Sequence, residues 1–278
     1  MKVVRTLAVG VRPRGIIARD GKLYVCASNS NAVQVIDLAT GKALADLPSG
    51  EDPEQFAMSP DGSRLYVANE RDAAVTVIDV AARKVAYQVD VGVEPEGMGV
   101  SPDGRTVVAT SETDGTIHWI DALTGKATGT TTVGRRPRHA EFTADGKRLW
   151  VTAEVDGTLS IVDVASRKVV TTLNFAPPGV ASDLILPVGV RFTPDSKTAL
   201  IALGRGGQVA FVDVATAKVT GYVAVGKRAW HLAIGADGTR AYVANGLSNS
   251  VSVIDVPTRR VVATIVGGEA PWGVAIAP

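Results

Sequence analysis

Three arginines and a histidine, Arg135, Arg136, Arg138 and His139, crowd into the ten residues VGRRPRHAEF. Guanidinium forks clamp carboxylates bidentately and imidazoles move protons or bind metals, so such a cluster could hold an acidic ligand. Trp230 and Trp272 add flat stacking faces. Glu54 and Glu96 each follow a proline, while Glu70, Glu112 and Glu154 recur every 42 residues, with Asp72, Asp114 and Asp156 two positions further on. Carboxylates could act as acids or bases, but arginine neighbours are expected to keep Glu54 and Glu96 ionised. That favours binding over proton transfer.

The chain as a whole carries 29 Lys+Arg against 28 Asp+Glu in 278 residues. So balanced a charge gives no broad field for nucleic acid or an anionic membrane. No apolar run approaches the roughly 18 residues of a spanning helix, so no membrane insertion is expected. The start, MKVVRTLAVG, has no apolar signal region, and read literally it implies a cytosolic chain. The single cysteine, Cys26, rules out an intrachain disulfide and is read as a packing residue.

A repeat must position these side chains. The aspartates of VIDL, VIDV, WIDA, IVDV, FVDV and VIDV are Asp37, Asp79, Asp121, Asp163, Asp213 and Asp255, 42 residues apart except for one interval of 50. Turn aspartates and prolines keep the same beat. Each unit reads as strand, Asp-Gly turn, strand, then two more strands alternating in period two. Four strands in about 42 residues predict a blade of a β-propeller. The fold expected is all-β, a single domain over 1–278, with repeats about 11–50, 51–92, 93–134, 135–184, 185–226 and 227–268. APWGVAIAP and KVVRTLAVG read as first and fourth strands of a seventh, closing blade, from 269–278 plus 1–10, whose second and third strands are missing. That gap implies a native start carrying about 25 to 30 further residues, preceded by a signal peptide.

In this architecture the fourth-to-first connections share one face with the second-to-third loops. The residue after each proline opens the innermost strand near the channel mouth, giving Arg14, Glu54, Glu96, Arg138, Val188, Trp230 and Trp272 round the ring. His139 and His231 follow that position, and Glu70, Glu112 and Glu154 end second strands on the same face. These residues, Val188 apart, form the expected ligand-binding mouth, with Arg12, Arg71, Arg135 and Arg136 able to neutralise its acidic arc. Solvated, surface-paired charge is the competing reading. Two histidines completed by a glutamate could bind zinc, but nothing in their spacing enforces convergence, so no metal is assigned. No catalytic residue is assigned. The long connection Asn174–Pro187 is either a partial lid or a neutral decoration. GYVAVGKR lacks the Ser/Thr and following helix of a phosphate loop, and GRGGQV lacks the spacing of a dinucleotide loop.

RLYVANERDAAVTVIDVAARKV and RAYVANGLSNSVSVIDVPTRRV resemble the YVTN-type propeller repeat over essentially the whole chain. The ordered series RPRG, DPEQ, EPEGMGVSPDG, RPRHAEFTADGKRLWV, LPVGVRFTPD, RAWHLAI and APWGVAIAP is similar to the PQQ-dependent catabolism-associated propeller proteins. The resemblance implies an exported, seven-bladed, periplasmic accessory to quinoprotein alcohol oxidation. His139 and His231 stand where that pattern has Phe and Gln.

The function expected is non-catalytic binding at the channel mouth of a carboxylated small molecule or a periplasmic quinoprotein dehydrogenase. No cofactor is certain, and PQQ, planar with three carboxylates, is a candidate ligand. The alternatives are a lactonase-like propeller hydrolase and an envelope interaction scaffold.

Overall fold

A computed structural model describes residues 1–277. It holds six antiparallel sheets of four strands, each built from strands consecutive in sequence. The innermost strands are Pro13–Arg19, Pro53–Met58, Pro95–Val100, Pro137–Phe142, Val190–Phe192 and Ala229–Ile234. They open blades one to six.

The repeat's signature residues are structural. Asp37, Asp79, Asp121, Asp163, Asp213 and Asp255 each accept the backbone N–H three residues on, at 2.7–2.9 Å. They thereby tie every third-to-fourth-strand turn. The Asp-Gly hairpins form as expected. Gly62 takes φ 75° while Asp61 accepts from Ser63, and Ser196 adopts the same left-handed backbone at φ 57° in blade five. Five apolar clusters fill the seams between successive blades, with Leu65 and Ile78 sealing blades one and two and Phe211 sealing five and six. Trp119 and Trp150 are fully buried. Val and Ala richness suits such thin, two-faced sheets.

The closing seventh blade is a correction. Six complete blades are present, and residues 1–10 and 269–277 form no strand. Pro278, the last residue assigned to that blade, lies outside the described residues. A strand needs a laddered neighbour, and neither segment has one. They are held instead by side chains and close packing: Arg5 donates to the Ala39 carbonyl, Trp272 packs on His231, and Gly273 lies against the Arg14 carbonyl. The C-terminal segment therefore bridges blades six and one.

Candidate functional site

The connection before five of the six innermost strands is a left-handed corner, with φ of 58° at Arg12, 55° at Asp52, 53° at Glu94, 56° at Arg136 and 59° at Arg228; blade five, entered from the long connection, has none at that position. Non-glycine residues tolerate that backbone only where the surroundings hold it. Here the corner carbonyl is bound. Asp52, Glu94 and Arg136 accept from the N–H of Glu70, Glu112 and Glu154 at 2.9–3.0 Å. This bond brings each second-strand glutamate beside the ring of its own blade.

At the mouth, the arginine forks meet the chain's own carboxylates. Buried Arg138 lies 2.6 Å from Glu96, pairs with Glu112, and comes within 3.5 Å of Glu154. Arg12 and Arg14 of blade one hold Glu54 at 2.8 and 3.2 Å. Arg228 crosses blade five, where the ring residue is Val188, to reach Glu154 at 2.7 Å. The tryptophan faces are occupied too. The Arg228 guanidinium stacks 3.8 Å from the Trp230 ring centre, with Arg138 at 5.4 Å; Arg14 sits 5.5 Å from Trp272. Eight of the eleven expected mouth residues thus make ion-pair or cation–π contacts in the channel, and Glu70 joins Asp52 and Glu54 in a carboxylate cluster. Arg12 and Arg71 already pair with that cluster, which leaves a cation little to neutralise.

Burial changes the expected ionisation. It pushes the Glu54 carboxyl up to about 7, despite the opposing pull of Arg14 and Arg12. Burial likewise raises Glu96 well above its ordinary value against the Arg138 charge, and the neighbouring Glu112 raises it further. At Glu112 burial is outweighed by the hydrogen bond from Glu96 and by Arg138 and Arg136, and its carboxyl falls. Of the two neighbouring carboxyls, Glu96 is therefore the harder to ionise. The expectation that arginines keep Glu54 and Glu96 fully ionised fails, because desolvation in the closed layer exceeds the ion-pair gain.

Beneath this layer the seven chain entrances alternate Gly15, Gln55, Gly97, His139, Gly189, His231 and Gly273. A methyl at Gly97 would lie 2.7 Å from the Arg138 carbonyl, and one at Gly189 would lie 2.9 Å from the His231 Cα. Glycine lets adjacent strands close up while the three large polar residues fill the channel. Arginine can only donate, so Arg191 Nη1 gives its hydrogen to a bare Nε2 on His139. His139 Nδ1–H then donates to Gln55 Oε1 at 3.3 Å. The Gln55 amide donates to His231 Nε2 at 3.1 Å and to the Arg138 carbonyl at 3.3 Å. Burial lowers His139, as does Arg191, and burial with the neighbouring His139 drives His231 well below its ordinary value. Both rings are neutral.

These three side chains form the floor of a cavity of about 340 Å³ that runs along the innermost strands toward the first-to-second-strand turns. Its walls carry Ile17, Phe56, Met58, Met98, Phe142, Trp272, Glu141 and Arg191. The channel is therefore blind at the expected mouth and open on the other face. Of the expected residues, His139, His231 and Trp272 line it, while the remainder belong to the closing layer and its rim. Gln55, Glu141 and Arg191 were missed. Glu141 and Arg191 occupy one register, three residues past the ring position, where the other units carry Ile17, Ala57, Gly99, Ala233 and Ala275. Two opposite charges in one otherwise uncharged register were the available signal. Arg191 Nη1 meets Glu141 Oε2 at 2.9 Å; burial raises the Glu141 carboxyl, but Arg191 together with the neighbouring His139 lowers it.

The long connection packs inward through Phe175 and Ile185. Asp183, Leu184 and Leu186 line a separate cleft of about 270 Å³ beside Arg228 and Glu154. Cys26 is fully buried, which with Glu54 raises its thiol well above the ordinary range. No helix among the described residues is long and apolar enough to cross a membrane.

The cytochrome D1 heme domain family matches residues 18–131, less than half of the chain. No curated protein matches it in sequence. Among solved structures, a chain of hydrazine synthase from Kuenenia stuttgartiensis superposes with TM-score 0.84 at 20% identity, covering 99% of this chain and 93% of that one. A chain of the mitotic checkpoint complex superposes with TM-score 0.83 at 16% identity, covering 98% and 84%. These likenesses show a β-propeller. The residues do not fit a haem. Both cavity histidines have Nε2 engaged, and His118, within the matched span, lies outside the cavity with Nε2 3.4 Å from Thr116. One wall guanidinium, Arg191, would face two propionates.

Proposed function

We propose that the protein is a ligand-binding propeller whose site is the blind channel cavity. The observation that carries this reading is a cavity of about 340 Å³ with a polar floor, walls that mix apolar side chains with the Glu141–Arg191 pair, and the Arg138 layer closing it behind. Concave pockets that set a few placed polar groups beside apolar side chains are typical small-molecule sites. Among the described lining residues Glu141 is the one carboxylate, too few to hold the catalytic cation that the lactonase-like alternative would use. PQQ, the ligand the resemblance implies, needs anchors for three carboxylates where the cavity offers one guanidinium; a smaller molecule suits it better. Periplasmic residence and a quinoprotein partner remain part of the reading through that resemblance.

The test is a thermal-shift panel of PQQ, aromatic and aliphatic carboxylates, amines and amino acids. Hits should vanish in Met58→Trp, which fills the cavity entrance, and persist in Arg135→Ala on the mouth face. Hits that survive Met58→Trp but disappear in Arg135→Ala would move the site to the mouth.

A further inference from the structure

The cavity's charges are paired but not saturated. Arg191 spends Nη1 on His139, Glu141 and its neighbour's carbonyl, while Nη2 and Nε make no hydrogen bond among the described residues. Glu141 Oε2 accepts from Arg191 and lies 3.3 Å from His139 Nε2, while Oε1 has no hydrogen-bond partner among the described residues. Each side chain is about one third exposed, at 35% and 31%, and both line the cavity. His139 cannot supply a compensating charge, because its Nε2 accepts from Arg191. The site therefore presents one free cationic edge and one free anionic oxygen side by side, with no net charge.

A lone anion would satisfy Arg191 and face Glu141; a lone cation would do the reverse. A zwitterion satisfies both. Beside the pair stand Ile17, Phe56, Met58, Met98 and Phe142, a wall for an apolar group. The volume sits at the low end of the range for small-molecule pockets, about 300–1,000 Å³. Resting on the cavity reading above, we infer that the ligand is a free α-amino acid with an apolar side chain. Its carboxylate takes Arg191 Nη2 and Nε, its ammonium takes Glu141 Oε1, and its side chain enters the Met58–Met98 wall.

Calorimetric titration of the intact protein with L-leucine, 4-methylpentanoate and isopentylamine tests this without any variant. Leucine should bind at least about tenfold more tightly than either analogue, since each analogue leaves either Glu141 or Arg191 unanswered. In Glu141→Gln leucine should weaken by about tenfold while 4-methylpentanoate gains on it. Equal affinity for leucine and 4-methylpentanoate overturns the inference in favour of a carboxylate site, as does leucine binding unchanged by Glu141→Gln. Should L-leucine, L-methionine and L-phenylalanine all fail to bind, the inference also falls. The cavity reading would then still stand on any other panel compound blocked by Met58→Trp.

Discussion

Arg191 Nη1 donates to His139 Nε2, and that bond orders the proton positions across the whole channel floor. Because arginine has no acceptor, His139 must carry its proton on Nδ1, Gln55 must present its oxygen there, and His231 must accept at Nε2. One donor in blade five thus fixes groups in blades four, two and six.

Nitrogen NMR should show both His139 and His231 as neutral Nδ1–H tautomers at pH 7. Their lowered affinities for protons mean that the folded state stays neutral where the unfolded chain, near 6.5, begins to protonate. Their contribution is present above pH 6.5 and is lost as pH falls below it. Gln55→Leu breaks the relay and strands two buried groups, so urea unfolding should lose about 1–3 kcal/mol.

Arg138→Met should be among the most damaging single changes. It leaves Glu96, Glu112 and Glu154 facing one another in a closed layer. Breaking a buried ion pair from one side costs about 3–5 kcal/mol. Denaturant midpoints should show the full loss at pH 8 and a smaller one at pH 5, where Glu96, raised by burial, adds least to the repulsion.

Glu54 sets an opposite pH trend to the histidines. Its carboxyl rises from 4.5 to about 7 on folding, so the folded state binds the proton more tightly. Stability from this group is complete below pH 4.5 and falls as pH rises toward 7. Glu54→Gln should flatten that fall in a pH series of urea melts. At about 1.36 kcal/mol per pH unit, the difference between the two curves should reach at most about 3 kcal/mol.

Gly97→Ala tests the alternating floor. Its methyl would sit 2.7 Å from the Arg138 carbonyl and 2.9 Å from the His139 Cα, both backbone atoms that cannot swing aside. Overpacking of this kind costs about 1–3 kcal/mol. Thermal unfolding should register it. Gly21→Ala, which meets no atom within 4 Å, controls for crowding though not for its own left-handed φ of 70°.

The amino-acid sequence alone determined the local architecture. A 42-residue beat, Asp-Gly hairpins and period-two alternation specify a four-stranded blade, because turn chemistry and strand alternation act between near neighbours. The same beat placed Arg14, Glu54, Glu96, Arg138 and Trp272 round one channel, far apart though they are along the chain. What it left undecided was which face of the channel is open and how the terminal segments sit. Those depend on distances across the axis. Arg138 reaches carboxylates from two blades, Arg228 spans a third, and Gly97 lets strands approach until no room remains between them. Such contacts join residues with no regular separation in sequence, and burial then reverses the ionisation that charge pairing alone suggests. Only packing in three dimensions decides that the arginine-rich mouth is a plug and that the charges lining the cavity are Glu141 and Arg191.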